Sequence, residues 1–488
     1  MNKKKLDRIL EGLEITYVEG NTQTEVTSIA FDSRKVLPGS LFVALKGTKT
    51  DGNQFINQAI DSGAIAIMSS ELPQERNQNI TWIKVPDTAI ALGQAASNFY
   101  ANPSSKFRLI GITGTNGKTT IATLLYHLFT KLGYKCGLFS TISNYVAGRE
   151  YPATHTTPDS VQLNSLMAEM AKENCTYVFM EVSSHAIDQK RISGLKYAGG
   201  IFTNITHDHL DYHKTFANYI TAKKAFFDSL EPESFALVNA DDKNSVVMVQ
   251  NCRARKYTYS IGGMADFRAS VIEQSLEGME LRIDGEEVWT NFVGEFNASN
   301  LLAVYATAIL LGAGKKETLT CLSGLKPAAG RLEVIRGNTS VTGIVDYAHT
   351  PDALMKVTDT INKLLKGNGR LITVVGAGGD RDRSKRPVMA AICAEKSSIV
   401  ILTSDNPRSE NPEKIIDEMV AGITYEAKEK VIRITDRKEA IKTAVMMANP
   451  GDVVLVAGKG HETYQEIKGV RHHFDDREEL AKALLLKI

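Results

Sequence analysis

The sequence predicts an α/β protein of three domains, with a mostly parallel sheet in the central domain and a Rossmann-like third domain. Three observations lead to this fold class. The chain has 488 residues, more than a single hydrophobic core usually serves. Short β-rich runs alternate with helical patterns almost throughout, as in proteins with parallel sheets. Two polar breaks interrupt that alternation.

The breaks predict the domain boundaries. The stretch YANPSSKF (100–107) is polar and contains a proline, and it precedes a Gly-rich unit of strand, turn and helix. The stretch LKPAAGRLEV (325–334) closes a helical pattern and opens a new run of strands. We therefore expect domains over roughly residues 1–104, 105–330 and 331–488.

The elements follow from the apolar runs. The N-terminal stretch MNKKKLDRILEGLEIT has an amphipathic helical pattern. FRLIGIT (107–113) predicts a strand, which a Gly-rich turn joins to the helix KTTIATLLYHLFTKLG. YVFMEV (177–182) and GGIFTNI (199–205) predict buried strands. Near the C-terminus RLITVVGAGG, SIVILTSD and DVVLVAGKG repeat the pattern of strand then loop.

Composition and charge exclude several classes of protein. The chain is 43% hydrophobic and 23% charged, with a net charge of +1 and no long basic block, so nucleic acid is not an expected partner. No stretch approaches the length of apolar sequence that a membrane span needs. The five cysteines lie far apart without a CxxC pair, which is typical of a reducing compartment. We expect a cytoplasmic enzyme.

The stretch GITGTNGKTT (111–120) lies between a predicted strand and a predicted helix, which is the setting of a phosphate-binding loop. Backbone N–H groups of such a turn point at phosphate oxygens. Lys118 would reach the β- and γ-phosphates, and the Thr119 hydroxyl would bind Mg²⁺. The strict GxxxxGK[ST] pattern fails, because its first glycine would fall on Ile112 and Gly111 comes one residue early. A turn that binds nothing is the alternative.

ATP is the expected nucleotide by exclusion. The chain has no NKxD motif, which a GTPase would use to recognise its base. The stretch GAGGD (376–380) fails as a dinucleotide fingerprint, since residue 381 is arginine where glycine is required. We interpret it as a turn at the end of a strand.

Acids, histidines and lysines follow the other central strands. Glu181 begins EVSSHAIDQKR at the carboxyl end of a strand, where α/β sheets bind ligands and a carboxylate suits Mg²⁺. TNITHDHLDYH (203–213) has three histidines without the cysteines or HExxH spacing of a zinc site. YITAKKAFF (219–227) places Lys223 and Lys224 on one helix, with Lys224 expected to be solvated.

Taken in order, these motifs resemble the Mur ligase family, the ATP-dependent amide-forming enzymes of peptidoglycan precursor synthesis. The resemblance covers essentially the whole chain. It also includes the spacing from Tyr219 to Lys223. The remaining motifs are GEFNASNLLA (294–303), GRLEV (330–334) and DYAHTPDAL (346–354). FDSRKV, LFVALKGTKTDG and THTTPD (154–159) resemble the branch that extends UDP-N-acetylmuramoyl-L-alanyl-D-glutamate by a third stem-peptide residue. The first domain is then a uridine-nucleotide-binding domain.

The resemblance implies roles for named residues. The ATP-binding residues would be Gly114, Thr115, Asn116, Gly117, Lys118, Thr119, Thr120, Asn297, Asn300, Arg331, Asp346 and Tyr347. Two Mg²⁺ ions are expected, with Thr119 and Glu181 on one and with His209 and a carbamylated Lys223 on the other. The residues along the UDP-N-acetylmuramoyl-dipeptide would be Phe31, Ser33, Thr48, His155, Thr156, Thr157, Ser183, Gln189 and Arg191. Asn53 stands where the family has a histidine, which leaves it without a predicted role.

The stretch SDNPRSENP (404–412) resembles the motif of family members that accept meso-2,6-diaminopimelate. Pro407 restricts its own backbone and that of the preceding residue. Arg408 can hold a distal carboxylate with two hydrogen bonds, a group that lysine lacks. Asp405 and Asn406 would accept the ammonium group. The other residues that match substrate-contacting positions are Arg381, Gly458 and Glu462.

The implied reaction is an amide ligation through an acyl phosphate, catalysed by Lys118, Glu181, His209 and Lys223 in a protein that we expect to be a monomer. Three alternatives stay open. The amino acid could be L-lysine, or the chain could be a folylpolyglutamate synthase, although residues 1–104 argue against the latter. A P-loop switch that hydrolyses ATP to drive a partner would not need Arg408 or the GKGHE stretch.

Overall fold

A computed structural model describes residues 3–47, 50–206, 208, 210–338 and 340–487. Its first part is a five-stranded sheet in the order β2-β7-β6-β5-β4, with three parallel pairs and one antiparallel pair. The elements are β1 (Lys4–Lys5), α1 (Leu6–Ile9), β2 (Tyr17–Glu19), β3 (Glu25–Val26), β4 (Ser28–Ala30), β5 (Ser40–Val43), α2 (Ile56–Asp61), β6 (Ala64–Ser69), β7 (Thr81–Lys84) and α3 (Thr88–Phe99). Strands β1 and β3 form a separate antiparallel pair, and 3-10 helices span Ser33–Lys35, Gly52–Phe55 and Pro103–Ser105.

The central part is an eleven-stranded sheet in the order β11-β10-β9-β12-β8-β13-β14-β15-β16-β17-β18. Its strands are β8 (Arg108–Thr113), β9 (Cys136–Phe139), β10 (Ser143–Val146), β11 (Arg149–Pro152), β12 (Tyr177–Glu181), β13 (Gly199–Phe202), β14 (Phe235–Asn239), β15 (Arg255–Ser260), β16 (Phe267–Ser275), β17 (Gly278–Ile283) and β18 (Glu286–Thr290). Its helices are α4 (Lys118–Lys131), α5 (Ser160–Lys172), α6 (Ser184–Asp188), α7 (Leu210–His213), α8 (Phe216–Asp228), α9 (Ser245–Met248), α10 (Glu295–Leu310) and α11 (Lys315–Ser323). Within the segment β9-β12-β8-β13-β14-β15-β16 of this order, each strand is parallel to its neighbours. The pairs at the two ends, β11-β10-β9 and β16-β17-β18, are antiparallel.

The third part is a six-stranded sheet in the order β19-β20-β24-β21-β22-β23, parallel except for the β19–β20 pair. Its strands are β19 (Glu333–Arg336), β20 (Thr342–Asp346), β21 (Leu371–Val375), β22 (Ile399–Leu402), β23 (Val431–Arg433), β24 (Val453–Ala457) and the hairpin of β25 (Tyr464–Ile467) and β26 (Val470–His473). Its helices are α12 (Pro351–Leu365), α13 (Lys385–Lys396), α14 (Pro412–Val420), α15 (Arg437–Met447) and α16 (Asp476–Leu486), and a 3-10 helix spans Tyr425–Lys430.

Helices cover both faces of the central sheet. One buried cluster packs α4 and α10 against the sheet, and another packs α5 and α8 against it from the opposite face. This explains why β8 and β12 are apolar at nearly every position instead of alternating. Gly111 in β8 serves this packing, because a Cβ at that position would lie 2.5 Å from the Phe226 ring on α8.

The predicted α/β class with a mostly parallel central sheet is confirmed. The predicted strands at 107–113, 177–182 and 199–205 appear as β8, β12 and β13, and the three C-terminal runs appear as β21, β22 and β24. The N-terminal pattern predicts a longer helix than the structure has, since only Leu6–Ile9 is helical and Lys4–Lys5 pairs with β3. Among the described residues, none of the helices has the length and apolar character required to cross a bilayer.

Candidate active site

The phosphate-binding loop lies between β8 and α4, where the sequence predicts it. Gly114 has φ +150° and Gly117 has φ +88°, values that L-residues rarely adopt. A Cβ on Gly114 would overlap the Thr203 hydroxyl, and one on Gly117 would lie 2.7 Å from Asn300 Oδ1. The loop therefore fits against two neighbouring segments only because both positions lack side chains. Gly117 is the N-cap of α4, so the loop leads directly into the N-terminus of a helix, a common place for phosphate to bind.

Two lysines converge on this loop. Lys118 Nζ donates to the carbonyl oxygens of Gly114 at 2.9 Å and Thr115 at 2.8 Å. Lys223 Nζ donates to the same Gly114 oxygen at 2.8 Å and lies 4.7 Å from the centre of the Tyr219 ring. Burial lowers the pKa of both lysines, with Glu181 opposing the shift at Lys118 and Lys118 adding to it at Lys223. A lowered pKa makes the neutral amine, which is the form that reacts with CO₂, easier to reach.

Glu181 is a buried acid beside the loop. It ends β12, which neighbours β8, and its side chain is fully buried. Thr119 Oγ1 donates to Glu181 Oε2 at 2.9 Å. Thr141, which follows β9, donates its N–H to Oε1 at 2.6 Å and its hydroxyl to Oε2 at 3.2 Å. The carboxylate and the Thr119 hydroxyl are hard oxygen donors of the kind that Mg²⁺ prefers.

Thr141 is a site residue that sequence reasoning missed. Besides Glu181, its hydroxyl contacts Thr156 Oγ1 at 3.0 Å, so it links the acid to a predicted dipeptide-binding residue. Its position belongs to no recognisable motif. The signal that could have found it is its place directly after an apolar strand in a parallel sheet, at the edge where ligands bind.

Residues from the third part reach the same loop. Arg331 Nη2 donates to Thr119 Oγ1 at 3.3 Å, and its guanidinium carbon lies 4.5 Å from the centre of the Tyr347 ring. Asp346 accepts hydrogen bonds from two backbone N–H groups, and burial raises its pKa while Arg331 opposes the shift. Asn300 donates to Asn297 Oδ1 at 3.1 Å. The predicted ATP residues thus meet at one place.

Asp352 and Lys385 of the third part make three further polar contacts with the central part beside the loop. Asp352 Oδ2 at the start of α12 accepts from Asn116 Nδ2 and Thr206 Oγ1, each at 3.2 Å. Lys385 at the start of α13 pairs with Asp208 at 2.9 Å. The third part is therefore held against the phosphate-binding loop by side chains from two of its helices.

Most of the predicted dipeptide-binding residues form one cluster. Thr157 Oγ1 donates to the Glu181 carbonyl at 2.8 Å and accepts from the Ser183 N–H at 3.1 Å. Arg191 donates to the Thr157 carbonyl at 3.1 Å and to Gln189 Oε1 at 2.6 Å. The cluster adjoins Glu181 at two points. Thr157 donates to the Glu181 carbonyl, and Thr156 contacts Thr141, which donates to the Glu181 carboxylate.

Other predicted residues lie elsewhere. His155 is exposed, with Nδ1 3.3 Å from Thr154 Oγ1. Phe31 follows β4, and Ser33 begins the 3-10 helix Ser33–Lys35, where it donates to Gln58 Oε1 at 2.9 Å. Asn53, which has no predicted role, accepts from Ser69 at 2.6 Å. The predicted residues Thr48 and His209 lie outside the described residues, and so does His207.

The structure also describes Lys224 and His213, which belong to the lysine pair and the histidine cluster of the sequence. Lys224 was expected to be solvated, and this is wrong, because its side chain is 13% exposed and pairs with Asp228 on the same helix at 2.7 Å. His213 is buried with Nε2 3.0 Å from Ser184 Oγ, which is a structural role.

The SDNPRSENP turn lies against the loop after β21. Arg408 Nη1 donates to the Gly379 carbonyl at 2.6 Å, and Nε lies 4.0 Å from Glu466 Oε2. A Cβ on Gly378 would lie 3.0 Å from Arg408 Nη1 and 3.7 Å from Arg381 Cγ, so the two arginines flank this glycine. The GAGGD stretch is a turn at the end of a strand, as predicted, and its glycines admit the Pro407 backbone.

Arg408 itself has φ +50°. Its N–H donates to the Glu466 carbonyl at 3.0 Å, and its carbonyl accepts from the Lys468 N–H at 2.7 Å. The sequence predicted that Pro407 would restrict this turn, but it did not predict that the β25–β26 hairpin would hold Arg408 in a left-handed conformation.

The remaining predicted amino-acid-binding residues adjoin that turn. Asp405 and Asn406 are buried. Asn406 Nδ2 donates to Glu462 Oε2 at 2.7 Å. Gly458 has φ +117°, and a Cβ there would lie 2.8 Å from Asp405 Oδ2. Nearby, burial lowers the pKa of His461 to about 3, and Arg331 adds to the shift, so that imidazole is neutral at physiological pH.

Comparison with known proteins agrees with this geometry. Residues 25–100 match the Mur ligase family catalytic domain, residues 112–308 the Mur ligase middle domain, and residues 330–460 the Mur ligase glutamate ligase domain. Two curated relatives carry the name UDP-N-acetylmuramoyl-L-alanyl-D-glutamate–2,6-diaminopimelate ligase. The one from Phocaeicola vulgatus is 55% identical over 476 residues, 98% of each chain. The one from Cytophaga hutchinsonii is 57% identical over 461 residues, 94% of this chain and 95% of the relative.

Solved structures extend the comparison. A structure of UDP-N-acetylmuramoyl-L-alanyl-D-glutamate–2,6-diaminopimelate ligase matches with a TM-score of 0.70 and 33% identity, over 99% of each chain. A folylpolyglutamate synthase from Thermotoga maritima shares the fold, with a TM-score of 0.59 and 16% identity over 76% of this chain and 90% of its own. From its full-length similarity to these relatives, the chain belongs to the Mur ligase family.

Proposed function

We propose that this protein is an ATP-dependent ligase. It forms an amide bond between meso-2,6-diaminopimelate and the D-glutamate γ-carboxylate of UDP-N-acetylmuramoyl-L-alanyl-D-glutamate, for peptidoglycan precursor synthesis. The observation that carries the proposal is the position of Glu181. Its carboxylate is bonded to Thr119 of the phosphate-binding loop and, through Thr141, to Thr156 of the dipeptide cluster. The phosphoryl donor and the carboxylate that it activates would therefore meet beside it.

In this mechanism the γ-carboxylate attacks the γ-phosphate of ATP and gives an acyl phosphate and ADP. An amine of diaminopimelate then attacks the acyl carbon, and phosphate leaves. Gly114, Gly117 and Lys118 would hold the phosphates, because phosphoryl transfer depends mainly on positioning and charge stabilisation. Arg331, Tyr347 and the third part would close over the nucleotide and exclude water.

Mg²⁺ fits the donors present. Thr119 and Glu181 supply hydroxyl and carboxylate oxygens at hydrogen-bonding distance from each other. A second ion would use His209 and Lys223, the latter as a carbamate. Bound Mg²⁺ supplies positive charge that neutralises the crowded phosphate and carboxylate oxygens.

We further infer which part of the chain binds each substrate and in which compartment the protein acts. Residues 1–104 would hold the uridine nucleotide, 105–330 the ATP and 331–488 the incoming amino acid. Arg408, flanking Gly378 opposite Arg381, would hold the distal carboxylate of diaminopimelate, with Asp405 and Asn406 at an ammonium group. All five cysteines are free thiols, which fits a monomer in the reducing cytoplasm.

The test is phosphate release and product mass with ATP, Mg²⁺ and UDP-N-acetylmuramoyl-L-alanyl-D-glutamate, comparing meso-diaminopimelate with L-lysine. We expect product only with diaminopimelate, and loss of that product in Arg408→Ala. Equal use of lysine would retain the ligase and contradict the role of Arg408. Phosphate release that needs neither amino acid would favour the ATP-driven switch.

A further inference from the structure

Lys459 is a buried charge that the proposed mechanism does not use. It lies in the GKGHE stretch after β24, and its side chain has no exposed surface. A lysine ammonium in such a position must be paired, because a desolvated charge without a partner is strongly unfavourable. Its partners therefore indicate what it does.

Its hydrogen-bond partners among the described residues are two of the predicted amino-acid-binding residues, and its Nζ also lies 5.5 Å from the centre of the Tyr464 ring. Lys459 Nζ donates to Glu462 Oε2 at 2.9 Å and lies 3.3 Å from Asn406 Oδ1. Asn406 Nδ2 donates to the same Glu462 oxygen at 2.7 Å. The three side chains thus form a closed triangle that joins the loop after β22 to the loop after β24.

The triangle fixes the orientation of both partners. Since an ammonium group only donates, the Asn406 amide must turn its oxygen to Lys459 and its NH₂ group to Glu462. That oxygen also accepts from the Glu466 N–H at 2.8 Å, which ties the triangle to the hairpin that holds Arg408. Both bonds to Glu462 end on Oε2, so Oε1 is the oxygen left for a ligand.

We propose that Lys459 is a positioning residue for the incoming amino acid, which together with Asn406 holds Glu462 so that Glu462 Oε1 accepts from an ammonium group of the amino-acid head. The proposal rests on the proposed function, in which these residues bind diaminopimelate. Lys459 itself contacts the two residues and not the substrate. Its loss would therefore affect the amino acid and leave the nucleotide sites unchanged.

The experiment compares Lys459→Met, Glu462→Gln and the double variant, with exposed Lys442→Met on α15 as the control. Amide formation is measured while diaminopimelate is varied at saturating ATP and UDP-dipeptide, and melting temperatures are recorded. We expect Lys459→Met to raise the KM for diaminopimelate about tenfold or more, since it leaves the half-buried Glu462 carboxylate without its cationic partner. The KM for ATP should stay within about twofold.

The double variant separates positioning from simple damage. If Lys459 acts through Glu462, the double variant is no worse than Glu462→Gln alone, and it melts higher than Lys459→Met because no unpaired charge remains. If Lys459→Met does not fold, this comparison with Glu462→Gln carries the test. Three results would each overturn the proposal. One is a double variant whose KM for diaminopimelate rises by the product of the two single effects, and another is a KM for ATP that rises as much as the KM for diaminopimelate. The third is an unchanged KM for diaminopimelate in Lys459→Met or Glu462→Gln.

A failure of the proposed function gives a different result from a failure of the role proposed for Lys459. If the wild-type protein ligates L-lysine instead, the same variants are measured with L-lysine, which carries the same amino-acid head. Wild-type protein that neither ligates nor calorimetrically binds either amino acid overturns both proposals.

Discussion

Lys385 Nζ lies 2.9 Å from Asp208 Oδ1, in an ion pair between the start of α13 and the segment after β13. The side chains are 27% and 11% exposed, so water screens the pair only in part. Together with Asp352, it places the third part of the chain against the phosphate-binding loop. In the mechanism that we propose, that approach would bring the amine to the activated carboxylate.

Removing this pair should slow the reaction. We expect Lys385→Met to lower kcat about fivefold, which corresponds to about 1 kcal/mol for a partly exposed pair. The KM for ATP should hardly change. Steady-state kinetics with exposed Lys414→Met on α14 as the control tests this, and equal losses in both variants would contradict it.

Gly117 allows a matched test of the phosphate-binding loop. Gly117 and Gly133 have φ +88° and +89°, but a Cβ on Gly133 meets nothing within 4 Å. Alanine at either position should cost about 1–2 kcal/mol in backbone strain. Only Gly117→Ala also contacts Asn300, so we expect about 100-fold weaker ATP binding by calorimetry for Gly117→Ala alone. Comparable ATP affinities in the two variants would show that the approach to Asn300 is unimportant.

Thr141→Val removes the hydroxyl between Glu181 and Thr156 and keeps the backbone N–H bond. A hydrogen bond to a charged group contributes about 1.5–3 kcal/mol, so kcat/KM should fall about 10- to 100-fold. The Mg²⁺ concentration for half-maximal rate should rise, since Glu181 loses a positioning partner. Thr141→Ser should restore both values. If Thr141→Ser is as impaired as Thr141→Val, the methyl group and not the hydroxyl is what matters.

Glu410 should stabilise the third part at neutral pH, and acid should remove that stabilisation. A hydrogen bond from buried Arg386 lowers the Glu410 pKa from 4.5 to about 2. Because the folded pKa is depressed, the stabilisation is complete above pH 4.5 and disappears as the pH falls towards 2. The difference in unfolding free energy between wild type and Glu410→Gln should shrink over that window in urea titrations. Exposed Glu429→Gln is the control, and a difference that is constant with pH would contradict the assignment.

Sequence reasoning succeeded where local pattern and tertiary environment agree. β8, β12 and β13 are buried on both faces, so their apolar runs are unambiguous, and the polar residues that follow them meet at one edge of the sheet. Lys118 and Glu181 could be found for that reason, whereas the role of Lys223 on α8 came only from the family resemblance.

It failed where a role depends on contacts between distant segments. Thr141 acquires its role only because β9 pairs with β12, and no spacing encodes that pairing. Lys459 was passed over because its partners include Asn406, 53 residues earlier. The N-terminal helix begins only at Leu6 because Lys4 and Lys5 join β3 in a strand pair, a long-range contact that overrides helical propensity.

At Arg408 the left-handed backbone conformation and the chemistry of the side chain have separate origins. The backbone of β25 and of the following hairpin turn sets its φ, through bonds at Glu466 and Lys468 that do not involve the Arg408 side chain. A different residue at position 408 would therefore project from the same place in the same direction. Substrate preference could then drift by single substitutions there during evolution, while the scaffold that aims the side chain is inherited unchanged from a separate stretch of the gene.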